Sequence, residues 1–237
     1  MALDKHINFF GLQKAAEKPG CPLCRIVNDR AEWYIDNLLF EHVADRGFRA
    51  LHRAAGGFCA NHSRNLVSFR DGLAVAILSR DLLEDRITSF EKKISWHDSR
   101  RHWIKRSKQW NKKSHKRHKS RCPICIEREK IEEEYLSFLA GTSGNSPDER
   151  ELRKCFMESD GLCIPHYSGL LFTQEGRYRG APSWIRDFHE KNYRDLLARV
   201  SQFIEFSAYG RQKDFAALSE KDQLVWKEAA AALRGNL

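Results

Sequence analysis

Two pairs of short cysteine motifs dominate the chemistry that this sequence could perform. Each pair is a Cys-x-x-Cys followed, after 34 residues in the first half and 37 in the second, by a Cys-x-x-His. The eight residues are Cys21, Cys24, Cys59 and His62 in the first pair, and Cys122, Cys125, Cys163 and His166 in the second. Three thiolates and one imidazole are a common tetrahedral environment for structural zinc. We therefore expect these residues to hold two Zn²⁺ ions.

The spacing leaves the grouping of the ligands open. We expect one site per pair, because duplication of a self-sufficient unit explains the order of the motifs. The alternative is a set of sites assembled across the halves, one with four cysteines and one with two cysteines and two histidines. The alternative to zinc is an iron–sulfur cluster, in which a histidine sometimes replaces a cysteine. A set of four ligands without a vacant position indicates structure rather than Lewis-acid catalysis.

Other cysteine chemistry explains the pattern less well. A thiol–disulfide catalyst also has a Cys-x-x-Cys, but normally in a βαβ setting. A Cys–His nucleophilic dyad leaves the accompanying Cys-x-x-Cys unexplained. The sequence has no Walker loop, zinc-protease motif or serine-hydrolase motif, so we expect no catalytic residues. Four histidines lack partners by spacing and are expected to be ordinary: His6, His42, His52 and His189.

The motifs are parts of an internal repeat that must be positioned by helices. A glycine and an apolar residue precede each third cysteine, and the tetrapeptide Arg-Asp-Leu-Leu occurs at 80–83 and 194–197. Apolar residues at helical spacing predict an amphipathic helix after Cys24 and a longer one after residue 72. The longer one carries Leu73, Ile77, Leu78, Leu82, Leu83, Ile87, Phe90 and Ile94.

Two further signals predict helix boundaries in the second half. The run from Ser146 to Glu149 has the form of a capping box with a first-turn proline. A last helix is expected to begin at Ser219 and to end before Gly235. No convincing run of alternating β-branched residues is present. The predicted fold class is all-α, with tandem duplicated helical units that are each closed by a site of three cysteines and one histidine.

The positive charge of the chain is concentrated between the repeats. The formal net charge is +9, yet the segment 97–121 alone contains eleven Lys and Arg residues and one acid. We divide the chain into a first repeat (1–96), this basic connector (97–121) and a second repeat with C-terminal helices (122–237). The connector is either a solvated linker or a surface for an anionic partner, which is nucleic acid or an acidic protein. The candidate nucleic-acid-binding residues are Arg100, Arg101, Lys105, Arg106, Lys108, Lys112, Lys113, Lys116, Arg117 and Lys119.

Composition limits the class of protein. The chain has 237 residues, of which 41% are hydrophobic, and only 6 Pro and 14 Gly, which excludes a disordered protein. No apolar run reaches the ~18 residues that cross a bilayer, and the first residues lack the pattern of a signal peptide. We expect a soluble, cytoplasmic protein, in which cysteines indicate metal binding rather than disulfides.

The doubled pattern of CPLCR with GFCANH, and of CPICI with GLCIPH, resembles an uncharacterised prokaryotic family of unknown function. The likeness covers most of residues 15–235. It implies an all-helical metal-binding protein that uses the eight ligands above, and it supplies no assigned reaction. The chain departs from the family pattern at Ile126, where the family has arginine, and in its longer and more basic connector.

Overall fold

The computed structural model of the chain describes residues 7–69, 71–101, 121–143, 145–175 and 178–235, without the side chains of 93–101 and 174–179. The described chain is helical apart from one short antiparallel ladder. In this ladder β1 (Gln174–Glu175) pairs with β2 (Tyr178–Arg179), with Gln174 opposite Arg179. The predicted all-α fold class is confirmed.

The chain forms two compact units that cross the boundaries of the repeats. The first unit comprises Met1–Asp29 and Lys130–Leu237, and the second unit comprises Arg30–Glu129. The helices that follow Cys21 and Cys122 each begin in one unit and end in the other. The division into 1–96, 97–121 and 122–237 therefore describes the duplicated sequence and differs from the compact units.

The first unit is built from helices at both ends of the chain. They are α1 (Ile7–Ala16), the start of α2 (Pro22–Asn37), most of α6 (Pro123–Ala140), α7 (Pro147–Met157), α8 (Ile164–Phe172), α9 (Ser183–Phe206), α10 (Gln212–Ala216), α11 (Glu220–Gln223) and α12 (Val225–Arg234). Its core buries Leu12, Leu23, Tyr135, Phe156 and Ile185, none of them more than 2% exposed. Helix α7 starts with the predicted capping box, since Ser146 Oγ accepts from the Glu149 N–H and the Glu149 carboxylate accepts from the Ser146 N–H.

The second unit contains the remaining helices. They are the end of α2, which continues as a π-helical turn (Leu38–His42), α3 (Arg46–Ala54), α4 (Ala60–Ser68), α5 (Gly72–Arg101) and the start of α6. Ile35, Leu38, Leu66, Leu78 and Ile124 form the centre of its core. Asp45 caps α3 by accepting from the Phe48 N–H.

Helix α5 departs from the sequence prediction of one continuous apolar stripe. Its buried face consists of Ala74, Leu78 and Asp81, and the Asp81 carboxylate receives two hydrogen bonds from the Arg49 guanidinium. From residue 83 to residue 92 no side chain is buried. The apolar residues of this stretch lie on the opposite side of the helix from the core.

Most of the basic connector lies outside the described residues. The structure gives the α5 backbone as far as Arg101 and resumes at Arg121, which pairs with Glu129. The ten candidate nucleic-acid-binding side chains lie outside this description, so their role stays a prediction. Within the described chain, no helix combines the length and the apolar character needed to span a bilayer.

Candidate metal centres

The first candidate metal centre, here called the first site, is formed by Cys21, Cys24, Cys163 and His166. The Cys21 and Cys24 sulfurs each lie 3.4 Å from His166 Nδ1, and the Cys163 sulfur lies 3.1 Å from it. The sulfurs of Cys24 and Cys163 are 3.6 Å apart. All three cysteines are buried. The four ligand atoms converge on one point within the first unit.

The second site has the same composition and is formed by Cys59, His62, Cys122 and Cys125. His62 Nδ1 lies 3.3 Å from the Cys59 sulfur and 3.4 Å from each of the other two. The sulfurs of Cys59 and Cys125 are 3.8 Å apart. Cys59 and Cys125 are only partly buried, so this site is more open to solvent than the first.

The structure brings together all eight predicted ligands, but the expected grouping within each repeat is wrong. Each site takes its Cys-x-x-Cys from one repeat and its Cys-x-x-His from the other. This arrangement also differs from the alternative, in which one site has four cysteines and the other has two cysteines and two histidines. In the structure each group has three cysteines and one histidine. The physical reason is chain connectivity, since α2 and α6 carry the two halves of each repeat into different compact units.

All four motifs share one local geometry at the start of a helix. The carbonyl oxygens of Cys21, Cys59, Cys122 and Cys163 each accept a hydrogen bond from the N–H four residues later, which opens α2, α4, α6 and α8 respectively. The second ligand of each motif lies three residues on, in the first helical turn. Exposed amides and the helix dipole at this position favour thiolates, the form that binds metals.

A glycine positions each Cys-x-x-His. Gly57 has φ +99° and Gly161 has φ +73°, angles that other residues rarely adopt. A Cβ at Gly57 would lie 2.8 Å from Leu82 Cδ1, and one at Gly161 would lie 2.8 Å from Phe188 Cε1. With these angles, the two glycines turn the chain just before the third cysteine of each repeat.

Hydrogen bonds within the first site shift the pKa values of Cys24 and His166 in opposite directions. Hydrogen bonds from Cys163 and Cys21 hold the pKa of the Cys24 thiol well below its ordinary value. Burial alone would lower the pKa of His166, but hydrogen bonds with the Cys21 and Cys24 sulfurs and the nearby Glu132 carboxylate raise it to about 11. A metal ion that enters this site must therefore displace protons.

The second site has a different proton distribution. Burial opposes ionisation of Cys59, but hydrogen bonds from the His62 backbone N–H and the Cys125 thiol lower its pKa. Burial and the charge of Cys122 raise the pKa of Cys125 to about 12. Burial and the nearby Arg128 lower the pKa of His62. The neutral imidazole that binds metals is thus favoured more strongly at His62 than at His166.

His166 has a nearby carboxylate, whereas the equivalent position in the first repeat holds an alanine. His166 Nε2 lies 3.7 Å from a carboxylate oxygen of Glu132, on α6. Counted from the first cysteine of each repeat, the counterpart of Glu132 is Ala31, a buried residue of α2. A carboxylate behind a ligating imidazole orients the ring and raises its basicity. Of the two sites, therefore, only the first has a carboxylate at this position.

His189 supports the first site, a role that the sequence analysis missed. Its Nε2 accepts a 2.8 Å hydrogen bond from the Leu162 N–H, and its Nδ1 lies 2.8 Å from the Ile185 carbonyl oxygen. The Tyr193 hydroxyl donates to the Leu162 carbonyl oxygen. Two side chains of α9 thus hold the residue that precedes Cys163. No spacing signal links them to the motif, because α9 lies more than twenty residues further along the chain.

Gly235, the residue that follows α12, lies next to two sulfurs of the first site. Gly235 is buried and has φ +81°. A Cβ placed on it would lie 2.8 Å from the Cys24 sulfur and 3.4 Å from the Cys163 sulfur. The sequence indicates a helix end at this glycine, and the structure adds its contact with two candidate ligands. The seventh cysteine, Cys155, is partly buried and belongs to neither group.

The fold and the two sites define an all-helical protein with twin groups of three cysteines and one histidine, each of which could hold a metal ion. The chain belongs to a family of unknown function (DUF6062), whose model matches residues 6–216. The resemblance drawn from the doubled motifs is thereby confirmed.

One curated relative is an uncharacterized 23.9 kDa protein in the xynA 3′ region of Caldicellulosiruptor sp. (strain Rt8B.4). It is 41% identical over 63 residues, which make up 27% of this chain and 30% of the relative. The match therefore spans less than a third of either protein. No solved structure matches the chain.

Proposed function

We propose that the protein is a non-enzymatic scaffold stabilised by two Zn²⁺ ions, and that its basic connector binds nucleic acid. The observation that carries the metal proposal is the close convergence of three sulfurs and one Nδ1 in each site, all within 4.8 Å of one another. Ligands recruited from distant helices make ion binding part of the folding free energy, on the order of 10 kcal/mol per structural zinc.

The ligand distances support a single small ion in each site. Zn–S bonds of ~2.3 Å and Zn–N bonds of ~2.0–2.1 Å in a tetrahedron place sulfurs roughly 3.8 Å apart, and sulfur and nitrogen roughly 3.5 Å apart. The sulfurs of Cys24 and Cys163 are 3.6 Å apart and those of Cys59 and Cys125 are 3.8 Å apart. The sulfur–nitrogen distances of both sites lie between 3.1 and 3.4 Å. For these pairs the distances match a single-ion tetrahedron within a few tenths of an ångström, and all the ligand atoms of a site lie within 4.8 Å of one another.

An iron–sulfur protein for electron transfer or redox sensing is the second candidate, favoured by the three thiolates in each site. A cluster places several irons and sulfides between its protein ligands. Its ligand atoms therefore stand further apart than the edges of a single-ion tetrahedron. The compact spacing of both sites supports zinc over a cluster.

Metal analysis of protein purified without oxygen tests this proposal. We expect two zinc ions per chain and a colourless solution. Iron with acid-labile sulfide and a brown solution would overturn the zinc scaffold and identify an iron–sulfur protein. Protein free of both metals that is fully folded and gains no stability from added Zn²⁺ would overturn both candidates.

The nucleic-acid part of the proposal rests on the sequence of the connector. The eleven Lys and Arg residues give residues 97–121 a local charge of about +10, and leave the remainder of the chain near neutral. Clustered Lys and Arg displace counterions from phosphates, and Trp96, Trp103 and Trp110 supply aromatic rings that stack on bases.

A charge comparison tests binding by the connector. One variant replaces the ten candidate residues by serine, and a matched control replaces its arginines by lysine and keeps the charge. We expect the unaltered protein and the control to bind single-stranded RNA with an affinity that falls about 300-fold between 50 and 200 mM salt, if six phosphates are contacted. The serine variant should lose binding. Equal retention of all three proteins on RNA and DNA would exclude the connector as the binding surface, and binding to an acidic polypeptide alone would identify a protein partner instead.

A further inference from the structure

Helix α5 carries an exposed apolar seam with the spacing of a coiled coil. Leu83, Ile87 and Phe90 are spaced by four and then three residues, and they are 61%, 54% and 56% exposed. The same spacing leads back through Arg80 and Ala76 to Leu73, which is 75% exposed. An alternation of three and four residues is the signature of a seam that faces a partner helix.

The seam lies on the opposite side of α5 from the core of the second unit. Leu78 is the centre of the buried face at 1% exposure. Ile87 follows it by nine residues, which is about two and a half helical turns. Packing within the unit therefore leaves the seam uncovered among the described residues, and α5 continues as a helix beyond it to Arg101.

The charges that flank the seam identify its partner. With Ile87 at position a and Leu83 and Phe90 at position d of a heptad, Glu84 and Glu91 occupy e and Arg86 occupies g. In sequence the pattern continues, with Lys93 at g and Asp98 at e. From residue 84 onwards the e positions are therefore acidic and the g positions basic, whereas the preceding e and g positions hold Ile77 and Ser79.

This arrangement fits a second copy of the same chain in parallel orientation. In a parallel pair, g of one helix faces the e position five residues on in the other, so Arg86 meets Glu91 twice across the symmetry axis. In an antiparallel pair, e faces e and g faces g, which places like charges together. We infer that the protein is a parallel homodimer formed through residues 73–91 of α5.

The polar residue of the seam is consistent with this pairing. Arg80 lies at an a position and is exposed, with its guanidinium 3.7 Å from Glu84 of the same helix. A single polar residue at an a position lowers stability but fixes register and the number of strands. Leu83, Ile87 and Phe90 supply the apolar contact on one side of it.

Charge reversal tests the dimer without touching any core residue. Measured by sedimentation equilibrium, the wild type is expected at twice the chain mass of 27.6 kDa. Arg86→Glu places acid opposite acid and should raise the dimer dissociation constant by about tenfold or more. Lys92→Glu is the matched control, because it makes the same charge change on an exposed residue of the same helix at position f.

The double variant Arg86→Glu/Glu91→Arg decides the orientation. In a parallel dimer it restores opposite charges at both contacts, so its mass should return to that of the wild type. Helicity and metal content should be unchanged in every variant, because the altered side chains are exposed. A monomeric wild type, a double variant as weak as Arg86→Glu, or equal effects of Arg86→Glu and Lys92→Glu would overturn the inference.

Discussion

Gly235 lies against Cys24, although 210 residues separate them in the chain. The glycine ends α12 with φ +81° and ψ 171°, and its missing side chain leaves room for the Cys24 and Cys163 sulfurs. The last described residue of the chain thus closes the first site. Stability of α12 and integrity of this site are therefore coupled.

Substitution of Gly235 tests this coupling. Gly235→Ala should lower the free energy of unfolding by about 1–3 kcal/mol, because residues other than glycine rarely adopt this backbone conformation. The crowding of the sulfurs should lower it by roughly 1–3 kcal/mol more. Gly210→Ala is the control, because Gly210 has φ +89° and no atom within 4 Å of the added carbon. Denaturant unfolding and metal titration measure both effects. Equal losses in the two variants, with metal affinity intact, would contradict the coupling.

The carboxylate behind His166 makes a separate prediction. Glu132→Gln removes the group that orients the imidazole and should weaken the first site about 10–100-fold, with no change at the second. Glu133→Gln changes the exposed neighbour of Glu132 and serves as the control. Competition with a chromogenic chelator measures the affinities. A weakening of both sites by Glu132→Gln would show that the effect is not local.

From the burial of the cysteines, we predict that the second site releases its metal ion before the first. Cys59 and Cys125 are partly exposed, whereas the three cysteines of the first site are buried. A chelator should therefore remove one ion per chain quickly and the second slowly. Cys125→Ser should abolish the fast phase, and Cys163→Ser the slow phase. The opposite assignment of the phases would show that exposure does not control release.

His189 predicts a pH dependence of stability. Burial lowers the pKa of His189 to about 4, against roughly 6.5 in the unfolded chain. The unfolded state binds this proton first as pH falls, so stability decreases between pH ~6.5 and ~4 by up to about 3 kcal/mol from this group alone. His189→Gln should be less stable at pH 7 and should lose less between these pH values. If both proteins, measured with excess metal, lost the same free energy of unfolding between these pH values, the loss would not come from His189.

The sequence predicts which residues form the two candidate ligand groups because each motif is local in the chain. Each Cys-x-x-Cys or Cys-x-x-His places two candidate ligands in the first turn of a helix. A glycine with positive φ, Gly57 or Gly161, turns the chain before each Cys-x-x-His. The capping box at Ser146 is local in the same sense, and it occurs as predicted. These features depend on neighbours within about four residues.

The grouping of the candidate ligands depends on packing between segments that are distant in the chain. Motif spacing alone does not predict it. Cys21 and Cys163 belong to the same compact unit although they lie in different repeats, and the assignment of segments to units is a property of the whole chain. The same limit applies to Glu132, His189 and Gly235, which reach the first site by tertiary contact. The apolar pattern of α5 predicted a helix correctly, but periodicity alone does not distinguish a face on the core from a face on a partner.

Metal stoichiometry of two double variants tests the central claim most directly. Cys24→Ser/Cys163→Ser alters one site if ligands are shared across the repeats, and Cys24→Ser/Cys59→Ser alters both. Elemental analysis should therefore find about one ion per chain in the first variant and none in the second, against two in the wild type. One ion in Cys24→Ser/Cys59→Ser and none in Cys24→Ser/Cys163→Ser would show that each repeat closes its own site, and would contradict the account.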